Sequence, residues 1–84
     1  MDERELIGKI THYYDKIGVA VVDLSAKIRV GERIVIEGPN TSFEQTVESM
    51  QAEHIDIKEA NPGESIGLKV SNPVKEGYKI YRAQ

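Results

Sequence analysis

From Leu6 to Arg82 the chain is a succession of short apolar runs, each closed by a turn rich in glycine, proline or asparagine. Ten Ile and eight Val stand against three Leu. β-Branched side chains are stiff at χ1, which suits a pleated, half-buried surface better than a helix. Such runs, recurring about every ten residues, specify a sandwich or small barrel. The clearest runs are Leu6 to Tyr14, Val19 to Leu24, Arg33 to Glu37, Ser65 to Val70 and Tyr78 to Arg82. Val19-Ala20-Val21-Val22 is apolar on both faces, which places that strand centrally.

Period two assigns Leu6, Gly8, Ile10, His12 and Tyr14 to one face of the first strand, and Ile7, Lys9, Thr11 and Tyr13 to the other. Ser25 to Glu32 reads as a connection with Ile28 and Val30 turned inward. Residues 42–54 carry two readings. Phe43, Val47 and Met50 recur at helical spacing behind Ser42, a possible cap. Thr46, Val47 and the surrounding strands favour a strand, which must then bend or bulge near Ser49-Met50 to keep its apolar residues inside. Ile55 and Ile57 continue as a short strand. Gly18, Gly31, Gly63 and Gly77 each sit just before an apolar strand, where a sharp corner belongs, and Gly67 inside a strand marks a bulge or a close approach.

With 84 residues the chain holds one domain. Residues 1–5 are expected to form a disordered tail and residues 6–84 the domain. A nucleotide-binding α/β domain does not also fit, and the phosphate-loop motif is missing: the only Gly-Lys pair, Gly8-Lys9, has Glu3 where the first Gly belongs. The absence of cysteine excludes disulfides and thiol catalysis. A net charge of −3 opposes tight, sequence-blind gripping of nucleic acid. No apolar run resembles a signal peptide or a membrane span. A cytoplasmic protein without membrane attachment is therefore expected, and Asn40-Thr41-Ser42 is a chance glycosylation match.

Four passages carry a family resemblance. They are Asp15-Lys16-Ile17-Gly18-Val19-Ala20-Val21, Ile28-Arg29-Val30-Gly31-Glu32-Arg33-Ile34, Ala60-Asn61-Pro62-Gly63-Glu64-Ser65-Ile66-Gly67-Leu68 and Val74-Lys75-Glu76-Gly77-Tyr78-Lys79-Ile80. In order and spacing they resemble domain 2 of translation GTPases such as elongation factor Tu. The chain also looks like the stand-alone translation elongation factor-like proteins, and like the barrel at the C-terminus of some U32-type peptidases. The resemblance implies an all-β fold: a small closed or partly open antiparallel barrel of six to seven strands. It implies no GTP hydrolysis. In elongation factor Tu an acidic residue near the fourth strand helps hold the tRNA 3′ end. Gln51 stands at that point here, so no binding residue of that family is carried over.

Chemistry-bearing residues are sparse. His12 and His54, with Asp15 or Asp56, fit no standard zinc spacing and read as polar strand histidines. Glu44, Glu48, Glu53, Asp56 and Glu59 form either an acidic patch or a solvated face. Tyr13 and Tyr14 point to opposite faces of a strand, one toward the core and one available for stacking; Tyr78 and Tyr81, beside Lys79 and Arg82, read the same way. The expectation is a non-catalytic, cofactor-free binding module. Its partner is RNA, the ribosome or a translation factor, met through Lys9, Tyr13, Lys16, Arg29 and Arg33. The alternative is an accessory, protein-binding barrel working with a peptidase-like or RNA-modifying enzyme. A small hydrolase is the third and least supported reading.

Overall fold

A computed structural model describes residues 4–83. Ten strands form, and no helix, among the described residues: β1 (Leu6–Tyr14), β2 (Val19–Leu24), β3 (Ile28–Arg29), β4 (Arg33–Gly38), β5 (Thr41–Thr46), β6 (Met50–Ala52), β7 (Ile55–Ile57), β8 (Glu59–Ala60), β9 (Ser65–Lys69) and β10 (Lys79–Arg82). Eight make one antiparallel sheet in the order β5-β4-β10-β1-β2-β9-β6-β7, and β3 pairs with β8. The apolar strand β2 lies between β1 and β9, a central position as its composition requires.

Chain connectivity forces this sheet to curl. β5 is one edge, whereas β6 pairs with β9 near the other. Only Val47, Glu48 and Ser49 separate β5 from β6, a span of roughly 14 Å at full extension. The two ends of the sheet must therefore approach each other. They do not join by a ladder, since β5 and β7 remain the two ends of the order. The closed form of the expected six- to seven-stranded barrel is thus not found: the sheet is curled and unclosed, with more and shorter strands.

Where β5 faces the end of β9, one side chain bridges the gap. Gln45 donates from Nε2 to the Lys69 carbonyl at 2.9 Å. Its Oε1 accepts from the Ser71 backbone N–H at 2.8 Å and from Ser71 Oγ at 3.1 Å. A backbone bond adds to this: the Lys69 N–H donates to the Ser49 carbonyl. The Lys69 N–H and carbonyl at the end of β9 are thereby both paired.

Residues 42–54 thus hold no helix: β5 and β6 are strands, broken at 47–49 just before Met50 and closed by the turn at Glu53-His54. Their helix-like spacing has a simple origin. Gln45 is buried between half-buried Phe43 and buried Val47, so period two runs through a polar residue. The bend then shifts the phase before buried Met50.

The core holds Ile7, Ile10, Ile28, Ile34, Ile36, Val47, Met50, Leu68 and Ile80, all 0–1% exposed. Ile7 and Ile10 both face inward, against strict alternation. The register of β1 shifts between Leu6 and Gly8 on its β10 side, and between Ile10 and His12 on its β2 side. Each irregularity rotates the following side chains by one position. Ile28 is buried as expected, but Val30 is 41% exposed, because it lies in the turn between β3 and β4, beyond the pairing of β3 with β8. Gly38 is a site of close approach: a Cβ there would run into the Tyr78 ring.

The expected tail falls partly on residues 1–3, which lie outside the described residues. Arg4 makes a two-pronged bond to Glu37, 2.5 Å and 3.1 Å, and sits 4.4 Å from the centre of the Tyr81 ring. Glu5 accepts from Arg82 Nε at 2.7 Å, and Arg82 also bonds Glu32 and the Lys27 carbonyl. The Arg4 hydrogen bond holds the Glu37 carboxyl below its ordinary value, and the Lys27 hydrogen bond does the same for Glu59. Depressed carboxyl values contribute stability that is present above the unfolded value and lost as pH falls through the folded one. The urea midpoint is therefore expected to hold from pH 7 to about pH 5 and to decline below about pH 4. The double variant Arg4→Met/Lys27→Met should start lower and decline less. An equal decline in both proteins would show that these pairs do not couple to folding.

Candidate functional site

The outer face of β2, β9 and β6 carries a half-covered apolar surface. Val19, Val21 and Gly67 occupy it, since Val21 pairs with Gly67 and Gly67 with Gln51 across the three strands. A Cβ on Gly67 would stand 3.1 Å from Val19 Cγ1, so bare backbone keeps this floor low. Two hairpin ends stand beside it. The β1–β2 turn brings Tyr14 and Ile17, which are 50% and 58% exposed. The β6–β7 turn brings Glu53 and His54.

Together these residues line a groove. One part, of about 240 Å³, is bounded by Tyr14, Ile17, Val19, Val21, Gln51, Glu53, His54 and Gly67. The adjoining part, of about 430 Å³, shares Ile17, Val19, Gln51 and Gly67 and adds Glu48, Ser49 and Lys69. Lys69 Nζ donates to the Ile17 carbonyl at 3.0 Å, which ties the β1–β2 turn to β9. Gln51 Nε2 donates to Asp56 at 3.0 Å.

The β6–β7 turn is a two-residue loop, because Ala52 pairs with Ile55. Both loop residues have positive φ, 52° for Glu53 and 65° for His54. That is the pattern of a type I′ turn, which favours Asn-Gly. L-residues with a long or bulky side chain are strained there, by about 1 kcal/mol or more each. Replacing Glu53-His54 by Asn-Gly is expected to raise stability by about 1–2 kcal/mol. Chemical denaturation checks this, and an unchanged midpoint would show that the turn is relaxed.

The five expected contact residues are spread over the molecule. Lys9 on β1 has Asp23 and Lys79 as its cross-strand neighbours. Tyr13 is half-buried and packs on the core. Lys16 lies in the β1–β2 turn, beside the groove residue Ile17. Arg29 on β3 faces Glu59 at 3.8 Å, and Arg33 at the start of β4 pairs with Glu44 at 3.2 Å. The two arginines are thus engaged with carboxylates. His12 lies 3.9 Å from Glu76 and edge-on to Tyr14, while His54 belongs to the β6–β7 loop. No group of three or more His, Cys, Asp or Glu side chains among the described residues is placed to hold a metal ion. Among the described residues no helix is long and apolar enough to cross a membrane.

Residues 2–80 match the family model described as the peptidase family U32 C-terminal domain. An uncharacterized protease of Methanocaldococcus jannaschii is 37% identical over 76 residues, covering 89% of this chain and 19% of the protease. A collagenase of Porphyromonas gingivalis is 32% identical over 82 residues, covering 95% of this chain and 23% of the collagenase. This chain spans about a fifth of the length of these relatives. In fold it matches the C-terminal domain of a Geobacillus thermoleovorans protein assigned to the U32 peptidases, with a TM-score of 0.89 and 24% identity, over 94% of this chain and all of that one. These findings overturn the translation elongation factor reading and uphold the U32-type part of the resemblance. The chain belongs to the family of U32 peptidase C-terminal domains.

Proposed function

We propose that this domain is a non-catalytic accessory unit that assists a peptidase-like catalytic unit in handling polypeptide. The observation that carries the reading is the family match over residues 2–80, in relatives that are about five times longer and are named as a protease and a collagenase. A stretch that is a minor part of a protease-named chain, and in which no hydroxyl is hydrogen-bonded to a histidine among the described residues, fits a docking role better than a catalytic one. The groove beside Tyr14 and Ile17 is the natural contact surface, since exposed apolar patches bounded by polar residues mark interaction sites.

The test is hydrolysis of casein and of denatured collagen by the purified domain. No cleavage above buffer is expected, with or without added zinc. Cleavage that co-elutes with the domain and disappears in His12→Ala or His54→Ala would overturn the accessory reading.

A further inference from the structure

We propose that the groove between the β1–β2 and β6–β7 turns binds an extended, cationic and apolar segment of the polypeptide substrate. This rests on the accessory reading and names what the surface would hold. The floor of Val19, Val21 and Gly67 is apolar and low, and Tyr14 and Ile17 stand exposed at its side. Such a floor takes apolar side chains of a peptide laid along it, and an aromatic wall adds contact area at little entropic cost.

The rim sets the charge of the occupant. Glu48 and Glu53 line the groove, and neither has an ion-pair partner among the described residues. The one lysine there, Lys69, is directed to the Ile17 carbonyl. Two carboxylates outweigh the one ammonium, which keeps its charge while it donates to a carbonyl, and this net negative rim favours a lysine or arginine on the occupant over a phosphate backbone. The strained Glu53-His54 loop places one of those carboxylates at the rim, and backbone strain concentrates at working sites.

Parts of about 430 and 240 Å³ accept a few side chains of an extended segment. A small open groove gives weak, rapidly reversed contact, as a substrate that must move on requires.

The experiment is a titration of the isotope-labelled chain with a blocked hexapeptide alternating lysine and leucine, followed by amide chemical shifts. A hexapeptide alternating glutamate and leucine, and an oligouridylate, serve as controls. Shifts confined to Tyr14, Ile17, Val21, Gly67 and their neighbours are expected, saturating in the millimolar range. The Glu48→Gln/Glu53→Gln variant should bind about fivefold more weakly, with its other amide shifts unchanged. Tyr14→Ala should weaken binding without affecting the charge preference. No shifts at the groove, equal binding of the acidic peptide, or the same shifts from oligouridylate would each overturn the assignment. The two readings fail separately. Loss of the groove assignment leaves the non-catalytic role standing. Cleavage of the peptide during the titration, read by mass spectrometry, overturns both.

Discussion

Ile80→Ala is expected to remove about 3–4 kcal/mol from the stability of this domain. Ile80 is fully buried and lies on β10, between β1 and β4. Its cross-strand partners are Ile36 on one side and Gly8 on the other. Gly8 cannot grow to fill a void: a Cβ on it would meet the Asp23 carbonyl oxygen at 2.6 Å and Val22 Cγ1 at 2.7 Å. The cavity left by truncation therefore stays open on that side, and a site that cannot collapse loses more than the transfer energy of the removed carbons. For a chain of this size the loss corresponds to a fall in Tm of roughly 15–25 °C. Thermal unfolding followed by far-ultraviolet circular dichroism checks it. A change below about 1 kcal/mol, the size typical of surface substitutions or less, would mean that β10 does not sit in the core as described.

Gln45→Leu carries the second large effect, about 2–3 kcal/mol. The substitution leaves the Lys69 carbonyl and the Ser71 N–H without the partners they now have. Each orphaned, part-buried group costs about 1–3 kcal/mol, offset in part by the extra apolar burial of leucine. The loss should be local first. Amide exchange should quicken at Val47 to Met50 and at Lys69 to Ser71, where the two ends of the sheet meet, before it quickens in β1 and β2. Uniform protection in the variant would show that the gap is held by packing alone.

Gln45→Glu separates the two halves of the same staple. A carboxylate can accept from Ser71 but has no hydrogen for the Lys69 carbonyl, so the folded state favours the protonated acid and raises its pKa. The penalty is then absent below the unfolded value of about 4.3 and grows as pH rises through it. The variant should lie closest to the parent protein in acid and farthest from it at neutral pH. The opposite trend would show that the Lys69 carbonyl is not held by the side chain.

Much of the fold is legible from residue type and spacing alone. The runs at β1, β2, β4, β9 and β10 are apolar and β-branched, and Gly18, Gly31, Gly63 and Gly77 sit at the corners with φ between 67° and 100°. What was hidden depends on partners distant in sequence. Gln45 conceals the inward phase of β5 because it is polar, and its reason to be buried lies at residues 69–71. The two register shifts in β1 are set by β10 and β2, so Ile7 and Ile10 look out of phase until the pairings are known. The Glu53-His54 turn gives no Asn-Gly signal and is imposed by the strands it joins.

The groove was harder to read than the fold. Its residues come from the β1–β2 turn, β2, the β6–β7 turn and β9, and no local motif gathers them. Exposed Tyr14, rather than half-buried Tyr13, faces it, because the shift between Ile10 and His12 changes which ring turns outward. Cations drew attention in the sequence, but Arg29 and Arg33 meet Glu59 and Glu44. Those pairings span 30 and 11 positions and cannot be foreseen from a neighbourhood of charges.

The most direct measurement compares kcat and KM for casein, using a U32-type catalytic chain that lacks its own C-terminal domain and the same chain with this domain fused at its C-terminus. A docking unit that holds substrate lowers KM several-fold and leaves kcat nearly unchanged, and Tyr14→Ala with Glu48→Gln/Glu53→Gln should return KM to that of the unfused chain. An unchanged KM in the fusion, or cleavage by this domain alone, would contradict the role proposed for it.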